Sequence, residues 1–514
     1  MKFGKHTLFG FKPRAPLFVP HRVLLEMEEE LGRPTFQGVP IGATLADLFL
    51  QDLYLGKKRW AVADAWKARL RYAAHWFLGP RIRRSHRANV PTPTPGKILV
   101  TWLAERPHFR DLVMPVIEAV GPGLCIVLCA RSSMLEKLPE GCEGYSWDQL
   151  APPDLAAWRR DYRRCVGRWH KTLRAALRKH GLPRRIAPHI QDTMLVNSQV
   201  VAQIGTFLEL ARPRAVLTEF DRSPTSSCLV KAAQHRGVPT FTMIHGVVNP
   251  PYGMIPLLAD LALCWGERQR EQFIELGTDP RRLRVVGCQR LNPELEALPA
   301  SVKSKLGLPL EQPLVMLATN PIAMEDRRTL ARTFCEGVVA HEALSAIVRL
   351  HPSERLDDYR TLIEEYPSVR FLGNETLSLD ESIAAADVVV CHNSGVGHDA
   401  LIKGRLVVVL DVLPTPLGNG TELIEEAGCP RARGAREFLH VLTRVLTDPL
   451  GRSGLEESRA RYVHGFCSTF GEDAARNIAR ILLRAEDFSE HQPRPSGESV
   501  EDDDPSNSRR LRAI

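Results

Sequence analysis

The stretch Val390-Cys391-His392-Asn393-Ser394-Gly395-Val396-Gly397-His398-Asp399-Ala400 runs from an apolar, strand-like segment through a glycine turn into a helical pattern. A strand that breaks through a tight turn into a helix leaves backbone N–H groups unpaired. It also turns the positive end of the helix dipole toward one point, which suits a phosphate. Asn393, Ser394, Gly395 and Val396 are the residues of that turn. Upstream, Ala346-Ile347-Val348-Arg349-Leu350-His351-Pro352 is a second apolar strand that ends in a His-Pro corner. Arg349 stands two residues before His351 and so shares its side of the strand, adding a cation. Ligands of open parallel sheets collect at strand carboxyl ends. The two corners are therefore expected to face one cleft, and a nucleotide is the first ligand to suspect. Each also has an ordinary structural reading: a helix N-cap for Ser394, a strand-ending corner for His351-Pro352, a buried salt bridge for Arg349.

Two more polar strand ends lie in the first half of the chain. Thr218-Glu219-Phe220-Asp221-Arg222-Ser223-Pro224 follows one strand, and Ile244-His245-Gly246 follows the next. Glu219 and Asp221 are two apart, so in an extended segment both point to one side, where a carboxylate could accept a proton. Asp221 also reads as a cap or turn residue before Ser223-Pro224. Gly246 after His245 would let a ligand or a backbone approach closely.

These corners need a scaffold, and the apolar pattern supplies one. Strands are expected at 97–103, 124–129, 215–218, 240–244, 261–265 and 283–286, and again at 314–318, 346–350, 369–372, 388–391 and 406–410. Helical patterns lie between them and near 435–446 and 455–484. Alternating strands and helices imply mainly parallel, doubly wound sheets. The fold class is α/β, with two Rossmann-like domains facing a cleft. The expected divisions are a basic helical extension at 1–95, a first domain at 96–295, a nucleotide-donor domain at 296–485 and a disordered tail at 486–514.

The runs Ala259-Asp260-Leu261-Ala262-Leu263-Cys264-Trp265-Gly266-Glu267 and Glu275-Leu276-Gly277-Thr278-Asp279-Pro280-Arg281-Arg282-Leu283-Arg284-Val285-Val286-Gly287 resemble the crossover region of GT-B glycosyltransferases. With His245-Gly246, His351-Pro352 and Ser394-Gly395, the chain is similar over about residues 97–450 to bacterial surface-polysaccharide transferases of that fold. These include capsule polysaccharide transferases, polysialyltransferases and transferases of the CDP-glycerol type. The resemblance implies a nucleotide-activated sugar or polyol-phosphate donor and a glycan or glycolipid acceptor. It implies that His351, with Pro352, donates to one donor phosphate, that Ser394 and the N–H groups after it hold the other oxygens, and that Asp399 binds ribose hydroxyls. Glu219 or Asp221 would stand near the acidic acceptor-side motif, although Phe220 intervenes where the polysialyltransferase-like group has two acids followed by glycine. Asp221 is favoured over His245 as the base. A nucleotide-sugar 2-epimerase acting on UDP-N-acetylglucosamine, and a non-catalytic GT-B scaffold, are the alternatives.

Composition sets the outer bounds. With 514 residues, 44% hydrophobic and 25% charged, the chain has room for two to three ordinary globular domains. The formal charge of +8 is modest, but residues 57–87 concentrate Lys and Arg among Trp60, Trp66, Tyr72, Trp76 and Phe77. Such a stretch suits an anionic membrane surface or an acidic polymer; a solvated helical face is the plainer reading, and nucleic acid is not expected. The 11 cysteines show no zinc spacing and suit a reducing cytoplasm. No Asp-x-Asp motif stands between strands, so neither a metal nor another cofactor is expected. Pro13, Pro16 and Pro20 interrupt the basic start, so no signal-peptide core is expected, and no apolar window approaches a bilayer span. The expected place is the cytoplasm, at the inner face of the cell membrane.

Overall fold

Runs of four or five apolar residues with no polar alternation belong to strands covered on both faces. In the computed structural model of the chain, every residue of Ile98–Trp102, Cys125–Cys129, Leu314–Ala318 and Leu406–Leu410 is buried. The structure describes residues 21–32, 34–49, 62–78, 91–105, 107–151, 153–246, 254–294, 298–320, 322–341, 343–373, 375–413 and 419–485. The expected tail at 486–514 and the parts of the basic stretch before 62 and after 78 lie outside these residues.

A small antiparallel hairpin, β1 (Thr35–Phe36) with β2 (Val39–Pro40), precedes the first large sheet. That sheet comprises β3 (Ile98–Trp102), β4 (Cys125–Cys129), β5 (Glu143–Ser146), β6 (Ala215–Thr218), β7 (Thr240–Met243), β8 (Leu261–Cys264) and β9 (Leu283–Val285). Its order is β5-β4-β3-β6-β7-β8-β9, with every neighbouring pair parallel. The second sheet comprises β10 (Leu314–Ala318), β11 (Ser345–Arg349), β12 (Val369–Leu372), β13 (Val388–Cys391), β14 (Leu406–Leu410) and β15 (Arg431–Ala432). It runs β12-β11-β10-β13-β14-β15, again all parallel.

Both sheets are doubly wound. The chain builds outward from β3 to β5, returns, and builds the other way from β6; β10 to β12 and then β13 repeat the pattern. Each reversal leaves a crevice at the strand carboxyl ends, the usual ligand position in such sheets. This is the two-domain α/β arrangement expected for a GT-B protein. The expected strands are present, and two unexpected ones, β5 and β15, lie at sheet edges. Their sequences, Glu143-Gly144-Tyr145-Ser146 and Arg431-Ala432, lack an apolar run, and Glu143, Gly144 and Arg431 are only partly buried, so these strands are not fully covered on both faces.

The described part of the N-terminal region is built into the first unit. Leu24, Met27 and Leu31 of the helix His21–Gly32 share one core with Trp158, Tyr162 and Trp169 of the helix Leu155–Lys179 and with Ile190 and Met194 of the helix Ala187–Ala211. Glu28 and Arg222 form a buried ion pair at 3.1 Å, and Arg222 also donates to the Pro256 carbonyl at 2.7 Å.

The closing helical region divides in two. Tyr462 and Phe466 of the helix Pro449–Phe466 pack in the core of the second sheet, whereas Ile478, Ala479 and Leu482 of the helix Gly471–Leu483 cross back onto Val113 and Ile117 beside the first. The return is fastened by backbone bonds from Cys288 N–H to the Thr469 carbonyl and from Ser468 N–H to the Trp265 carbonyl, both at 2.9 Å. Gly287 is what lets the two segments approach. Its φ is +92°, and a Cβ there would lie 2.2 Å from Thr469 Oγ1 and 2.3 Å from the Thr469 carbonyl oxygen. Gly287→Ala is expected to destabilise the protein by about 2–4 kcal/mol through backbone strain and overpacking. An unchanged midpoint of denaturant unfolding would refute this.

Candidate functional site

A cavity of about 420 Å³ opens between the carboxyl ends of the two sheets. It is lined by His245 and Gly246 after β7, Trp265 after β8, Arg290 after β9, Thr319 after β10, Arg349, His351 and Pro352 at the end of β11, and Ser394, Gly395, Val396, His398 and Asp399 after β13. Its size is that of a pocket for a small organic ligand.

The His-Pro corner is held from below. The His351 N–H donates to Thr319 Oγ1 at 2.9 Å, the Thr319 hydroxyl donates to Glu354 Oε2 at 2.8 Å, and the Tyr359 hydroxyl donates to the same oxygen at 2.6 Å. Glu354 has a fully buried side chain. On the ring, Nδ1 accepts the Ser353 N–H at 3.2 Å and lies 2.8 Å from Ser353 Oγ. A nitrogen that accepts carries no proton, so the proton sits on Nε2, which becomes a donor. Beside it Arg349 is buried, and burial pushes its guanidinium pKa down while the Glu375 carboxylate opposes the shift. An anion in the cavity would favour the charged form of such a group.

After β13, Ser394 Oγ accepts the Val396 N–H at 3.3 Å. Gly395 has an ordinary φ of −60°, and a Cβ built on it would meet nothing within 4 Å. Asn393 does not line the cavity; its carbonyl accepts from the Asn320 side chain and so joins the ends of β10 and β13 at the reversal. Asp399 lines the wall, its carboxyl pushed up by burial and drawn down by Arg290 and His398.

Next to Asp399, His398 lies in a stack of rings, 5.0 Å from Phe466 and 5.9 Å from Tyr462. The Tyr462 hydroxyl donates to Glu422 Oε1 at 2.8 Å, so it must accept from His398 Nδ1–H at 2.9 Å. Glu422 is itself paired with Arg268 at 2.9 Å. This chain fixes the His398 tautomer opposite to that of His351. Burial pushes the His398 pKa down, which favours the neutral ring, while Glu422 and Asp399 oppose the shift.

On the facing wall His245 is held by aromatic contacts. Phe109 stacks on it at 5.5 Å, and Phe220 meets it edge-on at 4.6 Å. The Trp265 indole donates to the Ile244 carbonyl at 2.7 Å, and the Gln269 amide donates to the Gly246 carbonyl at 3.1 Å, so the Trp-Gly crossover motif clamps the His245 turn. The Arg290 guanidinium lies 5.5 Å from the centre of the Trp265 ring, with the geometry of a cation–π contact.

Glu219 and Asp221 do not line this cavity, and they do not act as a pair. Glu219 is buried between strands, accepting from the Thr101 hydroxyl and from the Leu103 N–H at 2.6 Å, so it ties the end of β6 to β3. Asp221 is buried with Oδ2 accepting the N–H groups of Leu258 and Ala259 at 2.7 and 2.9 Å. Burial pushes both carboxyls up. The two-residue spacing is real, but the chain turns between them, and the side chains serve different loops. The expected shared side of an extended segment is not found, and neither Glu219 nor Asp221, each offered as the base, lines the cavity.

Neither a protein-family model nor a curated protein matches the sequence. Among solved structures the fold is similar to UDP-GlcNAc 2-epimerase from Neisseria meningitidis bound to UDP-GlcNAc, with 12% identity and a TM-score of 0.48 over 76% of this chain and 100% of that one. It is similar to the MnaA–UDP structure from S. aureus, with 12% identity and a TM-score of 0.49 over 77% and 99%. A glycosyltransferase from Rickettsia africae gives 11% identity and a TM-score of 0.49 over 76% and 99%.

Arg290, Thr319, Glu354 and the set His398, Tyr462 and Glu422 were not among the sequence candidates. Glu354 had a local signal, an acid three residues after His351. His398 lies in the glycine-turn stretch itself, beside Asp399. Arg290 and Thr319 reach the cavity through strand order, and Tyr462 and Glu422 support His398 from two distant helices, which no local pattern encodes.

Proposed function

We propose that the chain is a transferase using a nucleotide-activated sugar or polyol-phosphate donor, acting on a glycan or glycolipid acceptor in surface polysaccharide assembly. One observation carries this reading: Arg290, Arg349 and the Nε2–H of His351 line one cavity at the reversal of the second sheet, together with a single carboxylate, Asp399. Positive groups and an N–H donor at a strand-end crevice suit a diphosphate. They would compensate the charge that develops on the nucleotide phosphate as it leaves. The reading needs no resident metal or other cofactor, since side chains supply the positive charge. Ser394 and the Gly395 turn contact the same phosphates, and Asp399 takes hydroxyls of the nucleoside. His245 takes the acceptor hydroxyl's proton, because it lines the cavity and the two acidic candidates do not.

The epimerase alternative calls for several carboxylates of the first domain in the site. The burial of Glu219 and Asp221 against backbone and hydroxyl donors weighs against it. Incubation with UDP-N-acetylglucosamine alone separates the two, since release of UDP with an epimerised sugar and no acceptor would replace the transferase reading. The scaffold alternative predicts binding without turnover. A thermal-shift screen with CMP, CDP, UDP, GDP and their sugars tests the donor site. A ligand at a hundred times its Kd stabilises by about 2.7 kcal/mol. No shift with any of them would overturn the proposal.

Gly395 offers a finer test. Because its φ is ordinary and no atom lies where a Cβ would go, Gly395→Val is expected to leave the unfolding midpoint nearly unchanged. The added side chain would instead occupy space needed by a phosphate, weakening nucleotide binding by roughly tenfold or more. Equal affinity in calorimetry would show that the turn is structural only.

A further inference from the structure

The helix Val62–Leu78 carries two large apolar side chains on its outer face, Trp66 and Leu70, 60% and 61% exposed. Four residues apart, they form one ridge. They are not core residues left uncovered, because the inner face of this helix is already fixed. Ala65 and Ala68 are buried, Trp76 packs on Trp158 and Tyr162 at 5.6 and 5.7 Å, and Arg71 and His75 bond to Asp192 at 3.0 and 2.8 Å. Around the ridge, Lys67 and Arg69 are exposed.

The neighbouring helix Leu155–Lys179 extends this surface with charge. Its sequence, LAAWRRDYRRCVGRWHKTLRAALRK, has nine Lys and Arg against one acid, Asp161. Arg164, Lys171, Arg174 and Arg178 are all exposed. Among the described residues, only Arg164 of these four has a carboxylate partner, Asp161 at 3.5 Å. The Arg163 guanidinium lies 5.4 Å from the centre of the Trp76 ring, so the charged helix borders the one that carries the ridge.

We propose that the face made by these two helices docks on an anionic phospholipid bilayer, with Trp66 and Leu70 entering the headgroup region and the Arg and Lys side chains meeting lipid phosphates. The charge requires an anionic partner. The ridge decides which one: a soluble polyanion would pair with the cations but leave Trp66 and Leu70 in water, whereas the bilayer interface accepts both. No helix among the described residues is long and apolar enough to cross a membrane, so attachment here would be to the surface. The inference does not depend on the donor chemistry.

The test is sedimentation of the full chain with phosphatidylcholine vesicles with and without phosphatidylglycerol, at low and high salt. The wild-type chain is expected to bind the anionic vesicles and not the neutral ones. Trp66→Ala with Leu70→Ala is expected to weaken binding at least about tenfold even at low salt, since removing the ridge removes apolar burial. Lys171→Gln with Arg174→Gln is expected to weaken it on the order of fivefold per charge at low salt and little at high salt. All four side chains are exposed, and an unchanged melting temperature confirms that folding is not the cause. The proposal is overturned if the wild type ignores anionic vesicles or if both variants partition as it does. It is also overturned if heparin is bound by the wild type and by the Trp66/Leu70 variant alike while vesicles are not.

Discussion

His351→Ala is expected to lower turnover of the nucleotide-activated donor by about 10² to 10³ while leaving the protein folded. The size is that of removing one preorganised donor from a group on which charge develops. The fold tolerates this change because of how the corner is built. What anchors residue 351 is its backbone N–H, bonded to Thr319 Oγ1 at 2.9 Å, and behind that the buried Glu354 with Tyr359. Alanine keeps that N–H. The ring lines the cavity and bonds Ser353, which is exposed. Deletion of the ring therefore removes the Nε2–H donor while leaving the backbone anchor to Thr319 in place. Steady-state turnover and unfolding curves measured on the same preparation check this. A folded variant with wild-type turnover would remove His351 from the donor site.

What could be read from the sequence was what is local. Apolar runs such as Val388–Cys391 become buried parallel strands because no polar alternation leaves a face for water. Turns at their ends then fall at the sheet's carboxyl edge by topology alone, which is why the corners that carry Arg349, His351, Ser394 and Asp399 share one cleft. Burial was not legible in the same way. Glu219 and Asp221 have the spacing of residues on one side of a strand, yet each is drawn to backbone N–H groups of a different segment, Leu103 in one case and Leu258 with Ala259 in the other. A buried carboxylate needs such partners, and they come from chain segments far away in sequence. Phe220, which departs from the acidic pattern of the resembled transferases, has a use of its own, as its ring meets His245 at 4.6 Å. The returning helix Gly471–Leu483 was equally hidden, since an amphipathic pattern states that a face is buried but not against which sheet.

The assignment of the base follows from that contrast, and it gives the second large effect. His245→Ala is expected to lower turnover by about 10² to 10⁴, the range for loss of a positioned general base, with donor affinity retained. Asp221→Asn is expected to behave differently. The amide oxygen can still accept from Leu258 and Ala259, but the bonds lose the help of a charge, so the cost falls on stability, about 1–3 kcal/mol. Turnover of the folded Asp221→Asn protein should stay within roughly tenfold of wild type, because the carboxylate does not line the cavity. Denaturant unfolding and single-turnover transfer, measured on both variants, separate the two roles. A stable Asp221→Asn protein that has lost turnover, beside an active His245→Ala protein, would return the base to Asp221. That result would require the loop 257–259 to move away from the carboxylate when acceptor binds, and the Leu258 and Ala259 amides would then exchange faster in the acceptor complex than in the free protein.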